Sequence, residues 1–157
     1  MISEPYRVQC RIAARPDGSR VLVHKSQVPP RAAIFLKGSF NLLKIESLCN
    51  EDCAVGLYSH QSESFLIASV YLDINKPTVP GWLEEVCRYA RSRQLPLILG
   101  MDSNSHSVLF GETTNKRGEE LESFILSSGL MVENIGTEPT YNAHRSDMDI
   151  ATCIDVM

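Results

Sequence analysis

The sequence has 157 residues, 43% hydrophobic and 22% charged, with a formal net charge of −4 at neutral pH. That length suits one domain and that composition suits a packed core, which excludes a disordered chain. The mild acidity excludes a module held on nucleic acid by charge alone, but not a nuclease whose metal ion supplies local positive charge.

Met1-Ile2 runs at once into Ser3-Glu4-Pro5. No basic-then-apolar leader opens the sequence, so an intracellular protein, nuclear or cytoplasmic, is expected. The first thirty residues read as irregular, with Pro16-Asp17-Gly18-Ser19 as a turn signal and Pro29-Pro30 as a breaker. Short apolar runs follow at Ala32–Leu36, Ala54–Tyr58 and Phe65–Tyr71. The first two read as strands, the third as a strand buried on both faces, and His60–Ser64 as a hairpin connection. Even the longest run is strand-sized and far short of a membrane span.

At Pro80–Gln94 the period changes. Trp82, Leu83, Val86, Tyr89 and Ala90 fall on one helical face, and Glu84, Glu85, Arg88 and Arg91 on the other. Leu95–Leu99 reads as a buried strand, with Pro96 at its start where a missing N–H is tolerated. A second helix is predicted over Gly118–Ser128, burying Leu121, Phe124 and Ile125, with Gly129 placed as an αL stop. Leu130–Val132 and Met148–Ile154 complete the predicted strands. Strands dominate, and two helices are too few for a doubly wound parallel sheet. The expected class is α/β, a two-layer β-sandwich with helices outside.

The five cysteines (Cys10, Cys49, Cys53, Cys87 and Cys153) include no CxxC pair. That disfavours zinc and points to reduced, mostly buried thiols.

The chemistry concentrates where a buried strand runs into Asp102 and Asn104. Residues i and i+2 of an extended segment point to one side, so a carboxylate and an amide emerge together at the strand's end. The carboxylate can orient or deprotonate a water, and the amide can hold a phosphate oxygen. A strand-end Asx turn is the competing reading of the same two residues.

Gly100-Met101-Asp102-Ser103-Asn104-Ser105-His106-Ser107 resembles the GDxN-A-H-S signature of the endonuclease–exonuclease–phosphatase superfamily. It is most similar to that of the apurinic-type endonuclease domain of non-LTR retrotransposons. Phe110-Gly111 and Asn115-Lys116-Arg117-Gly118-Glu119-Glu120-Leu121-Glu122 resemble that family's WG and N-x-R-G-x-x-L-E. Gly129–Gly136 and Pro139-Thr140-Tyr141 resemble its GLxVxNxG and PTF, and Ser146–Thr152 its S-S-x-I-D-V-T strand. Upstream, Glu4-Pro5-Tyr6 is similar to its Q-E-P-Y, and Val70-Tyr71 fits the strand that bears its active-site tyrosine. The pieces run in order along nearly the whole chain.

The resemblance implies a DNase I-like four-layer α/β sandwich, with residues 1–157 as one partial domain of that kind. It implies a metal-dependent phosphodiesterase that nicks DNA. Glu4 would bind Mg²⁺ or Mn²⁺, and Tyr71 would donate to the phosphate. Asp102 and Asn104 would orient water and phosphate, Thr140 would line the substrate cleft, and Asp149 would orient a catalytic histidine. Each has a plainer reading beside it: an exposed terminal glutamate, a core tyrosine, a turn threonine. His106 reads as the structural tail of the signature. Arg117 reads as a loop-and-helix fixture, with a DNA contact as the alternative.

DNA is the implied substrate, no membrane is expected, and the resemblance leaves room for a downstream reverse transcriptase in a full-length protein. Met101, Ser103 and Phe110 depart from the common residues without removing chemistry. The family's first strand and its terminal Ser-Asp-His have no counterpart in these residues. The alternative function is therefore a non-catalytic remnant, and residues 1–157 alone are expected not to nick plasmid.

Overall fold

The computed structural model describes residues 20–37, 42–111 and 113–133 in full, and the backbone of six short strands outside them. The chain folds as two compact units. One comprises residues 1–71 with 81–101, the other residues 72–80 with 102–157.

The first unit carries β1 (Ile2–Ser3), β2 (Arg7–Val8), β3 (Arg11–Ile12), β4 (Arg20–Leu22), β5 (Ala32–Leu36), β6 (Leu42–Lys44), β7 (Cys53–His60), β8 (Glu63–Tyr71), helix α1 (Gly81–Ser92) and β9 (Leu97–Asp102). The N-terminal region is thus not irregular throughout, as expected, but contributes four short strands. β1, β5 and β4 form an antiparallel sheet in that order. β9, β8, β7 and β6 adjoin in a second sheet, and β5 of the first lies against β7 and β8 of the second.

Ala32, Ala33 and Ile34 of β5 are buried, as are Cys53, Ala54 and Val55 of β7 and Ala68, Ser69 and Val70 of β8. Burial of neighbours along these strands, rather than alternation, marks strands covered on both faces. The β7–β8 pairing runs from Cys53↔Val70 to His60↔Glu63, so the predicted hairpin connection narrows to Gln61-Ser62. Gln61 takes the left-handed backbone that so short a turn demands (φ 53°).

β8 and β9 run parallel. The Leu66 N–H donates to the Pro96 carbonyl and the Leu72 N–H to the Asp102 carbonyl, each at 2.8 Å, the same step along both strands. A parallel pair needs a crossover, and α1 supplies it. Leu83, Val86, Cys87 and Ala90 form its buried stripe at helical spacing. The last strand is displaced from its predicted span. It begins at Leu97, continues through Asp102, and leaves Ile98 45% exposed.

The second unit contains α2 (Lys116–Ser127), the antiparallel pair β10 (Tyr141–Arg145) and β11 (Met148–Thr152), and β12 (Asp155–Val156). α2 buries Leu121, Phe124 and Ile125 as predicted and starts two residues earlier than its apolar pattern suggests. Gly129 adopts the expected αL stop (φ +66°). The expected strand at Leu130–Val132 is absent. The Leu130 N–H instead closes the helix end on the Ile125 carbonyl at 3.0 Å, and Met131 is 80% exposed. With no neighbouring strand and no buried face, three apolar residues do not make a ladder.

Candidate active site

Within the second unit, burial alternates through the segment that follows β9. Ser103, Ser105 and Ser107 are fully buried, whereas Asp102, Asn104 and His106 are half-buried. The carboxylate and amide singled out by sequence therefore share a row that reaches solvent, and the serines between them form the row packed inward. Asn104 occupies the left-handed region at φ 46°, which asparagine tolerates better than most residues.

Both polar residues are locked to one residue of the segment that follows β8. The Leu72 N–H donates to the Asp102 carbonyl at 2.8 Å, and the Leu72 carbonyl accepts from Asn104 Nδ2 at 3.0 Å. Leu72 is 1% exposed, so it is a fixed reference point. The Asp102 Oδ1 atom is itself buried.

Arg117 closes the arrangement from α2. Its Nε donates to the Asn104 carbonyl at 3.3 Å, its Nη1 to the Lys76 carbonyl at 2.8 Å, and its Nη2 to the Asp73 carbonyl at 3.3 Å. One guanidinium thus staples the Asn104 turn to the 72–80 loop. Of the two readings open for Arg117, the structure displays the fixture.

The residues around Arg117 serve the same end. Asn115 caps α2 by accepting from the Gly118 N–H at 2.8 Å, and it also accepts the His106 N–H at 3.3 Å. At Gly118 a side chain would overlap the His106 carbonyl oxygen, so only glycine lets the helix lie directly on that backbone. Ser107 Oγ donates to the Glu122 carboxylate, and Thr78 Oγ1 to Glu120 Oε2 at 2.7 Å. Asn115, Arg117, Glu120 and Glu122 are therefore scaffold, each anchoring a segment beside Asp102 and Asn104.

Tyr71, the last residue of β8, belongs to the first unit. Its N–H donates to the Asp52 carbonyl at 2.9 Å, and its ring lies beneath the Arg31 guanidinium, 4.7 Å from Cζ to ring centroid. Sequence reading missed Arg31 and Asp52, whose partnership spans 21 residues and leaves no local pattern. It also missed the structural work of Asn115, for which a signal existed: asparagine just ahead of a helix is a common N-cap.

Asp149 lies on β11, in register opposite His144 of β10. Glu4 and Thr140 fall outside the described residues. Among the described residues no cluster of three metal-binding side chains occurs. The oxygen donors at Asp102 and Asn104 suit a hard cation in kind, and Mg²⁺ takes only one or two carboxylates beside water and phosphate. No described helix is long and apolar enough to cross a membrane.

A family model described as endonuclease-reverse transcriptase matches residues 65–157. Among solved structures, the chain is similar to the endonuclease domain of TRAS1, a telomere-specific non-LTR retrotransposon. The identity is 25% and the TM-score 0.80, over 88% of this chain. The chain spans 65% of that structure's length. No curated protein matches it.

Proposed function

The chain belongs to the endonuclease–reverse transcriptase family, and on that premise we propose that it is a metal-dependent phosphodiesterase domain that nicks DNA, built as a DNase I-like four-layer α/β sandwich. The observation that carries this reading is the half-buried pair Asp102 and Asn104, both locked to Leu72 while the serines beside them pack inward.

In this reading the residues assigned to the chemistry are Glu4, Tyr71, Asp102, Asn104, Thr140 and Asp149. Asp102 takes the proton of the attacking water or aligns it along the scissile bond. Asn104 has two amide N–H groups, one spent on Leu72, and the other donates to a non-bridging phosphate oxygen. The Tyr71 hydroxyl is a further donor suited to a phosphate oxygen. Preorganised donors of this kind are worth roughly 3 kcal/mol each of transition-state stabilisation. Asp149 orients a histidine, and Thr140 lines the groove that takes the strand. Glu4 would hold Mg²⁺ or Mn²⁺, and the ion when bound supplies charge neutralisation at the phosphate.

The retrotransposon likeness points to double-stranded target DNA as substrate and to a reverse transcriptase as the activity that follows. The test is nicking of supercoiled plasmid by the gene product that contains these residues. Relaxed circles that accumulate in Mg²⁺ and stop on adding EDTA are expected. A gene product that leaves plasmid supercoiled in both Mg²⁺ and Mn²⁺ would favour the non-catalytic remnant instead.

A further inference from the structure

Asp52 is a charged residue with a relative exposure of only 3%, standing immediately before β7. Arg31, the residue before β5, forks onto it: Nε lies 2.5 Å from Oδ1 and Nη2 2.7 Å from Oδ2. The Arg31 main-chain N–H donates to the neighbouring Glu51 carbonyl at 2.6 Å, which fixes the base of the side chain as well as its head. Asp52 also accepts the Tyr71 N–H through its own carbonyl at 2.9 Å, and the Arg31 guanidinium sits 4.7 Å from the Tyr71 ring centroid. One buried aspartate thus holds the tyrosine's backbone with its carbonyl and, with its carboxylate, the cation that covers the ring.

We propose that Arg31 is a positioning residue for Tyr71, anchored by Asp52, and that it sets the direction in which the Tyr71 hydroxyl meets a substrate phosphate. The purpose rests on the endonuclease reading above, whereas the orientation of the ring does not. The first side-chain torsion of a tyrosine decides where its hydroxyl lies, and more than one staggered well is open to it in a strand. A guanidinium held over the ring face by a fork on a carboxylate favours the well in which the ring meets it. Lysine could keep the charge but could neither fork nor stack. An ion pair that merely tied β5 to β7 would leave the ring indifferent to its chemistry.

The experiment is NMR of ring-¹³C-labelled tyrosine, with the Tyr71 signals assigned by Tyr71→Phe. Arg31→Lys, Arg31→Gln and Asp52→Asn are compared with the parent chain. The Tyr71 ring signals should move toward those of solvent-exposed tyrosine and its ring flips should quicken. Tyr58, stacked on Phe65, and Tyr89, beneath Arg93, should keep their signals and so report an intact fold. Unchanged Tyr71 signals in all three variants would overturn the proposal. So would Tyr58 and Tyr89 signals that move together with Tyr71 in the mild Arg31→Lys variant, since that is general disruption.

In the gene product, Arg31→Lys should lower kcat roughly tenfold to a hundredfold with KM held, the loss typical of a misplaced group. It should add nothing once Tyr71→Phe is present, and additive losses would contradict positioning through Tyr71. If Tyr71→Phe itself leaves nicking intact, the catalytic assignment of Tyr71 fails while the ring signals still decide the positioning.

Discussion

A methyl group at Gly118 would have to occupy the space of the His106 carbonyl oxygen, which is backbone and has no rotamer to yield. Gly118→Ala is therefore expected to destabilise the second unit by at least about 2 kcal/mol, the range for forced overpacking. Thermal denaturation checks this, and an unchanged midpoint would show that the helix can back away. Ser105 presents the opposite case. Its hydroxyl is buried with no hydrogen-bond partner among the described residues, and such a group costs about 1–3 kcal/mol. Ser105→Ala should raise the melting temperature, and a fall would mean that the hydroxyl has a partner in solution, such as an ordered water. Motif spacing made both residues visible beforehand, since one stands in a glycine slot and the other where the family signature has alanine. What the spacing could not convey is why. The contact of Gly118 with His106 and the clamp of Arg117 on residues 73 to 76 join segments far apart in sequence.

At the scale of elements, apolar runs bounded by turn residues locate β5 at both ends and α1 to within two residues. The start of α2 and the end of β9 are harder to read. The first turn of α2 holds the polar pair Lys116-Arg117 and shows no periodicity, so only the Asn115 cap marks it. β9 continues past its apolar run into Met101 and Asp102 because Leu72 offers a partner for pairing there. The same elements enclose three thiols: Cys49, Cys53 at the start of β7, and Cys87 on α1, all free and buried. Burial pushes each thiol's pKa above its ordinary value of 9.0, because the thiolate would lose its solvent. A group whose pKa is raised by folding stabilises the fold fully below its unfolded value and loses that contribution as pH climbs. Stability should thus be flat with respect to these thiols up to about pH 8 and decline above the ordinary thiol value of 9.0. Peptide mapping after iodoacetamide at pH 8 should find these three cysteines unmodified in the native chain and modified in denaturant. Rapid native alkylation of Cys53 would contradict its enclosure.

On the scale of the whole molecule, the sequence held the family, the mixed α/β class and the stretch around Asp102, because these rest on local strings and periods. It did not hold the division into two compact units, whose boundaries fall after Tyr71, after Pro80 and before Asp102. That division depends on which segments pack together, not on any local signal. Within the second unit, a row that reaches solvent (Asp102, Asn104, His106) is set against a buried row (Ser103, Ser105, Ser107), and Asn115, Arg117 and Glu122 brace the segment that carries both. We propose that Asp102 and Asn104 of the first row perform the chemistry while the buried serines and their braces hold them in place. The most direct test is Asp102→Asn in the gene product, with plasmid nicking rate and melting temperature measured on the same preparation. Nicking should fall at least about a hundredfold, the cost of losing a group that acts in the transition state, while the melting temperature stays within about 2 °C of the parent. Nicking at the parent rate, or a loss that only follows a collapsed melting temperature, would contradict the assignment of Asp102 to the chemistry.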